Sequence, residues 1–282
     1  MASQKLLTVF GDKARTEDQV ARLNIAQEKY GKLDQTYFGG LNRCVGLEFE
    51  MEQAADQWQH HLGKVGHAIY WQGTSDGSLR NGGIELISVP VGGRNIDYAL
   101  GEIGNFITKY ESVKPSVRTS IHVHCDVSDL SVKSVNGLIG LYALFEPAFF
   151  HLQSEDRKNN PYCYELTDLL PKDAAVEDNM KYCAFNLAPI ARQLSVEFRH
   201  ADFSRDMRKN RRWIQLVCKF MHYIGRNQEQ LHDILSDTII NNGYEKLFNT
   251  IFGKSVALFE GFNVKDKMKE NAMWAATFWE KN

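Results

Sequence analysis

The sequence predicts an α+β fold. Two observations carry that prediction. Five short segments alternate apolar and polar residues with a period of two, as half-buried strands do, and helical patterns lie between them. After the last of these segments the apolar residues recur at three and four, so helices gather at the C-terminal end.

Taken in order, residues 12–30 read as a polar helix with a narrow stripe of Ala14, Val20, Leu23 and Ala26. The five alternating segments are Cys44–Met51, Gly83–Val89, Ser120–Val127, Lys181–Leu187 and Leu194–Phe198. A helix is expected from Ile96 to Tyr110, where Ile96, Leu100, Ile103, Ile107 and Tyr110 fall at helical spacing. A second, largely buried helix is expected over Val132–Leu152, with Pro147 kinking it or ending a segment. Trp213, Leu216, Val217, Phe220 and Ile224 mark a third, and further helices follow, separated near Asn241–Gly243 and Gly261. With no repeat and no Pro/Gly/Ser-rich linker, the chain reads as a single domain over 1–282. Its core spans about 42–225, with an N-terminal helix at 12–30 and a helical C-terminal extension at 226–282.

Hydrophobic residues make up 43% and charged residues 24%, enough for a sizeable core. A net charge of −2 argues against nucleic acid as the main ligand. Arg205, Arg208, Lys209, Arg211 and Arg212 form a basic run that reads as a solvated face or as the entrance for an acidic substrate. Five cysteines without a CxxC pair suit reduced thiols in a cytoplasmic protein. No segment reads as a signal peptide or a membrane span, and a homo-oligomer is left open.

Side chains alternate across a strand, so residues two apart share a face. Leu47, Phe49 and Met51 oppose Glu48 and Glu50; Ile84 and Leu86 oppose Glu85. Ile121, Val123, Cys125 and Val127 oppose His122, His124 and Asp126, and Leu194, Val196 and Phe198 oppose Glu197 and Arg199. A wet sheet face commonly carries Thr, Lys, Ser and Gln. Here Glu, His, Asp and Arg dominate, and glutamates on adjacent strands repel unless cations sit among them. Carboxylates with an occasional imidazole suit Mg²⁺ or Mn²⁺. Asp76 lies in a DGS turn before Glu85, and Arg80, Arg157 and Arg199 can match phosphoryl oxygens.

In order, the motifs GLEFE, DGSLRNGGIELISVP, IHVHCDVS, YCAFNL and LSVEFRHADFSRD resemble the amidoligase family of the glutamine synthetase superfamily, to which glutamate–cysteine ligases also belong. The similarity spans about residues 42–215 and rests on the order of the motifs rather than on any one of them. The resemblance implies a curved, mainly antiparallel glutamine-synthetase-like sheet with helices on its apolar face. It implies an ATP-dependent carboxylate–amine ligase acting through an acyl phosphate, on amino-acid, peptide or protein-attached substrates. By the same resemblance Glu48, Glu50, Glu85, His122 and Glu197 are metal ligands. His124, Arg199, Arg157 and Asn186 meet the nucleotide or its phosphates. Arg199, Arg157 and Arg80 contact phosphoryl oxygens, and Asp76 is the candidate base for the amine. Bacterial and phage accessory enzymes of this kind imply a cytoplasmic setting, the host's for a phage chain. Two other readings compete: a fold kept as a binding or structural module without activity, and a zinc hydrolase built on the HxH pair. The first helix and the region after about residue 225 carry no motif of the family.

Overall fold

Alternation puts Leu47, Phe49 and Met51 on one side of strand β1 (Val45–Met51), and all three are fully buried. The computed structural model describes residues 44–66, 68–158, 160–169, 182–253 and 264–281. The helix expected over 12–30, the break at Gly261 and the start of the segment at Lys181 lie outside them. The chain then runs α1 (Ala55–Val65), β2 (Trp71–Thr74), β3 (Ile84–Ser88), α2 (Arg94–Lys109) and β4 (Ser120–Asp126). Next come α3 (Val132–His151), the single turns α4 (Glu155–Lys158) and α5 (Leu166–Leu169), and β5 (Phe185–Asn186). The turn α6 (Ile190–Gln193), β6 (Ser195–Asp202), α7 (Met207–Arg226), α8 (Leu231–Ile240), α9 (Tyr244–Phe252) and α10 (Val264–Lys281) complete it. The fold is therefore α+β, with the C-terminal helices expected from the sequence. Its six strands form one sheet in the order β2-β3-β1-β4-β6-β5.

The pairs β2–β3, β3–β1 and β1–β4 are antiparallel in register. At the two ends of β4 and β6, Phe203 N donates to Thr119 O (3.4 Å) and Val127 N to Leu194 O (2.8 Å). Those crossed ends fit an antiparallel pair as well. Two elements were not visible in the alternation: α1, whose only buried side chains are Trp58 and His61, and the four-residue β2. Leu194 proves not to open β6. It closes α6 at φ 51°, still buried, and the strand starts one residue later.

Packing divides the described chain into two compact units, one from 44–126 and 197–218, the other from 127–196 and 219–281. In the first, α1 and α2 cover the apolar face of the sheet. Trp71 Nε1 donates to Ala99 O of α2 (2.8 Å), and its ring meets Phe49 edge-on at 5.3 Å. Trp58 of α1 meets Phe106 of α2 edge-on at 5.1 Å. Gly73 is required in β2, because a Cβ there would lie 2.6 Å from Ile84 Cδ1 and 3.0 Å from the Trp58 ring. The basic run does not form one open face. Arg205 donates to the carbonyls of Ile107 and Tyr110 at the end of α2 and of Val113 just beyond, and Arg211 pairs with Asp97 at 2.9 Å. Cations at a helix C-terminus satisfy its last carbonyls and its dipole.

The second unit is built around α3, which is buried nearly end to end. Ser131 caps its start, accepting from Ser134 N at 3.0 Å. Leu231 and Leu235 of α8 press on Gly137 and Gly140, where a Cβ would lie 2.5 and 2.8 Å from their side chains. Phe145 and Phe149 meet Phe220 and Phe252 in edge contacts. Pro147 does not end the helix, which continues to His151. A proline has no N–H for the carbonyl four residues back, here that of Ala143. Asn271 of α10 supplies the missing donor, its Nδ2 reaching Ala143 O at 2.7 Å.

Candidate metal centre

The second face of β1 meets its neighbours carboxylate to carboxylate and carboxylate to imidazole. Register sets Glu50 opposite Glu85 on β3 and Glu48 opposite His122 on β4. Directly paired residues on one face have Cβ atoms about 4.5–5.5 Å apart, so these groups must interact. His122 Nδ1 lies 2.9 Å from Glu48 Oε2 and 3.2 Å from Glu197 Oε1 of β6. His122 Nε2 lies 3.8 Å from Glu50 Oε2. His124 Nε2 is 3.0 Å from Glu48 Oε1 and 3.8 Å from Glu197 Oε1. Arg199, two residues on from Glu197 and so on the same face, pairs with its Oε1 at 2.5 Å.

Two groups of three have ligand atoms within 4.8 Å of one another: Glu48, His122 and Glu197, and Glu50, Glu85 and His122. The five residues expected to hold metal are those five. The donor set is hard oxygen with one imidazole, which fits Mg²⁺ or Mn²⁺. His122, Glu50 and Glu197 are buried, with Glu48 and Glu85 half-buried.

Electrostatics express the same crowding. Burial, then the charges of Glu48, Glu50 and Asp76, push the Glu85 carboxyl up to about 9. Burial would raise Glu48 too, yet His124 and His122 hold it well below the usual carboxylate range. Burial opposes the charge on His124, but Glu48 and Glu197 outweigh it and carry the imidazole up to about 9. Burial likewise works against the Arg199 cation, and Glu197 and Glu50 raise it instead. One carboxyl among the glutamates thus holds a proton in place of a cation.

Asp76 stands in the turn before β3, where its Oδ1 accepts from Ser78 N at 2.5 Å and its charge reaches Glu85. Arg80 is exposed, and its Nη1 donates to Gly77 O (2.7 Å) and Leu79 O (2.9 Å), bracing that turn. Arg157 in α4 and Asn186 in β5 are both buried and belong to the other unit. Asn186 Oδ1 accepts from Ala188 N at 2.9 Å there.

The sequence reading passed over two residues. Ser120 stands two before His122, and its hydroxyl contacts both Glu50 Oε2 and His122 Nε2 (2.7 Å). Glu52 accepts from Arg80 N at 3.2 Å and lies 3.4 Å from Asn81 Nδ2, tying the Asp76 turn to the end of β1. Extending the two-residue spacing by one step at each strand would have found both. In comparisons with known proteins, no family model matches the chain, and no curated protein or solved structure is significantly similar to it.

Proposed function

We propose that the chain is an ATP-dependent carboxylate–amine ligase that joins its substrates through an acyl phosphate, with Mg²⁺ or Mn²⁺ held on the polar face of the sheet. The observation that carries this reading is the pair of three-residue groups, Glu48–His122–Glu197 and Glu50–Glu85–His122, beside the half-buried Arg199. Order and spacing of the five motifs support it independently. Ions bound there would neutralise the phosphates of the nucleotide and the developing charge on the transferring group.

The chain's own residues do the rest. Arg199 stays cationic beside Glu197 and offers a planar fork to phosphoryl oxygens. His124 sits at the rim of the cluster, more exposed than His122, where a nucleotide phosphate can reach it. A carboxylate is a poor acyl donor, and phosphorylation gives it a leaving group. The attacking amine must then shed a proton, and Asp76, on a turn at the edge of the carboxylate cluster, is the acceptor. Arg157 and Asn186 belong to the proposal only through the family resemblance. Among the described residues, neither three-residue group contains both His122 and His124, the pair on which the zinc hydrolase reading is built.

Calorimetry of ATP binding with and without Mg²⁺, on the wild type and on Glu50→Gln, tests the reading. Binding that requires Mg²⁺ and is lost in Glu50→Gln is expected. A wild type that takes up no nucleotide under any metal condition sinks the ligase assignment.

A further inference from the structure

The sequence holds three Asn–Gly pairs: Asn81–Gly82, Asn136–Gly137 and Asn242–Gly243. An asparagine before glycine carries a reaction within its own chain. The glycine nitrogen attacks the asparagine Cγ, ammonia leaves, and a cyclic imide closes. Water then opens the ring at one carbonyl or the other, leaving aspartate or isoaspartate. The attacking nitrogen must give up its proton, so an N–H held in a hydrogen bond resists. Glycine has no Cβ to obstruct the approach.

The fold sorts the three pairs. Asn136–Gly137 lies inside α3, where the Gly137 N–H belongs to the helix ladder and Gly137 is buried against Leu231. Asn242–Gly243 joins α8 to α9, and Gly243 N donates to Thr238 O at 2.8 Å. Asn81–Gly82 stands exposed at the base of the Asp76 turn, and Gly82 N donates to no acceptor among the described residues. Asn81 and Asn242 both have a left-handed backbone, with φ of 55° and 52°. That angle does not tell them apart; the bond on the glycine nitrogen does.

The surroundings of Asn81 give the reaction a consequence. Its Nδ2 lies 3.4 Å from Oε2 of the buried Glu52. Its carbonyl accepts from Gln53 N (3.1 Å), and that of Gly82 from Ala54 N (3.1 Å) and Ala55 N (2.9 Å). These bonds fasten the turn to the chain leaving β1. Aspartate at this position sets a second carboxylate against Glu52, where like charges repel. Isoaspartate also threads the backbone through Cβ and lengthens it between the two anchoring residues.

We propose that Asn81–Gly82 is a site of spontaneous deamidation, and that its conversion loosens the Asp76 turn from the end of β1. The chemistry stands apart from the ligase reading; only the cost to Asp76 as a base rests on it.

The test is to age the full chain in mildly alkaline buffer, folded and in urea, and to follow the three peptides by proteolysis and mass spectrometry. Enzymatic methylation counts the isoaspartate. In the folded chain Asn81 should convert at least about tenfold faster than Asn136 or Asn242, whose glycine amides react only from an opened state. In urea the three rates should converge. Anion exchange separates the converted chain by its added charge, and its urea midpoint should fall below that of fresh chain. Asn81→Asp should show the part of that loss due to charge. An Asn81 that stays an amide as long as Asn136 in the folded chain, or an Asn242 that converts first, overturns the site. A converted chain that unfolds at the same urea concentration as fresh chain overturns the loosening.

Discussion

Two sets of buried glutamates in this chain behave in opposite ways. Glu146, at the centre of α3, is fully buried and surrounded by donors. Its Oε1 accepts from the Tyr142 hydroxyl (2.8 Å) and Leu166 N (2.6 Å), and its Oε2 from Thr167 N and Thr167 Oγ1 (3.2 Å each). The glutamates of the sheet face are instead aimed at one another and at histidines. A buried carboxylate whose lone pairs are filled by its own chain is part of the architecture. Carboxylates set against each other across a sheet cost stability unless a proton or a cation sits among them.

The largest effect should come from removing Glu146. Glu146→Leu removes the acceptor of the buried Tyr142 hydroxyl and Leu166 amide and of the half-buried Thr167 amide. Each orphaned group costs about 1–3 kcal/mol. Urea denaturation should show a loss of several such increments, and zinc or manganese affinity should be unchanged. Glu85→Gln should do the reverse. Below about pH 9 Glu85 already holds a proton, so the amide replaces a neutral group and stability should hold, while manganese affinity by calorimetry should fall. A stable Glu146→Leu chain would break the comparison at its root.

Acidity moves Glu85 and Glu146 the same way, and the response to a divalent ion should separate them. In the metal-free protein Glu85 holds a proton up to about 9, against an ordinary value of 4.5. His124 does so up to about 9, against 6.5. Glu146 is carried by burial up to about 8 from 4.5, against the pull of Leu166 N and the Tyr142 hydroxyl. In each case the folded chain binds a proton that the unfolded chain releases, so the stabilisation is lost as pH rises through that window. Glu48 has the opposite sign, and its contribution is lost as pH falls. Stability of the chelated protein should therefore decline as pH climbs from about 4.5 to about 9. A divalent ion prefers ionised Glu85, so manganese should flatten the sheet-face share of that decline and leave the Glu146 share intact. Urea midpoints across this range, with chelator and with manganese, measure the difference. Equal slopes in both would mean that no ion relieves the face.

How much of this could be read beforehand follows from the same physics. Period-two alternation marks any strand with one greasy face, so β1, β3, β4 and most of β6 were legible, and with them Glu48, Glu50, Glu85, His122, Glu197 and Arg199. The four residues of β2 include Gly73 and are too few to show a period. The helix α1 buries little beyond Trp58 and His61, so its stripe has no contrast. Leu194 belongs by hydropathy to β6, and only a left-handed backbone angle detaches it. Ser120 and Glu52 escaped because a serine and one further glutamate are ordinary on a wet face; their meaning lies in partners from distant parts of the chain. The basic run looked like one feature, but Arg205 turned inward to cap α2 while Arg208 pairs with Asp206 in solvent.

Pro147 supplies the smallest and sharpest contrast. In sequence it marks a kink or a helix end. In the fold the helix passes through it, because Asn271 donates to the carbonyl that the proline leaves without a partner. Ala143 is fully buried, so its carbonyl has no access to water. Asn271→Ala should therefore cost about 1–3 kcal/mol, the price of one orphaned buried acceptor. Pro147→Ala restores an N–H at the position that can reach the Ala143 carbonyl, and the double variant should lose less than Asn271→Ala loses alone. Urea unfolding of the four chains closes the cycle, and a coupling of at least about 0.5 kcal/mol is expected for groups that share one acceptor. Strict additivity would mean that Asn271 merely packs α10 against α3. Coupling would mean that Asn271 supplies the hydrogen bond that Pro147 leaves unmade.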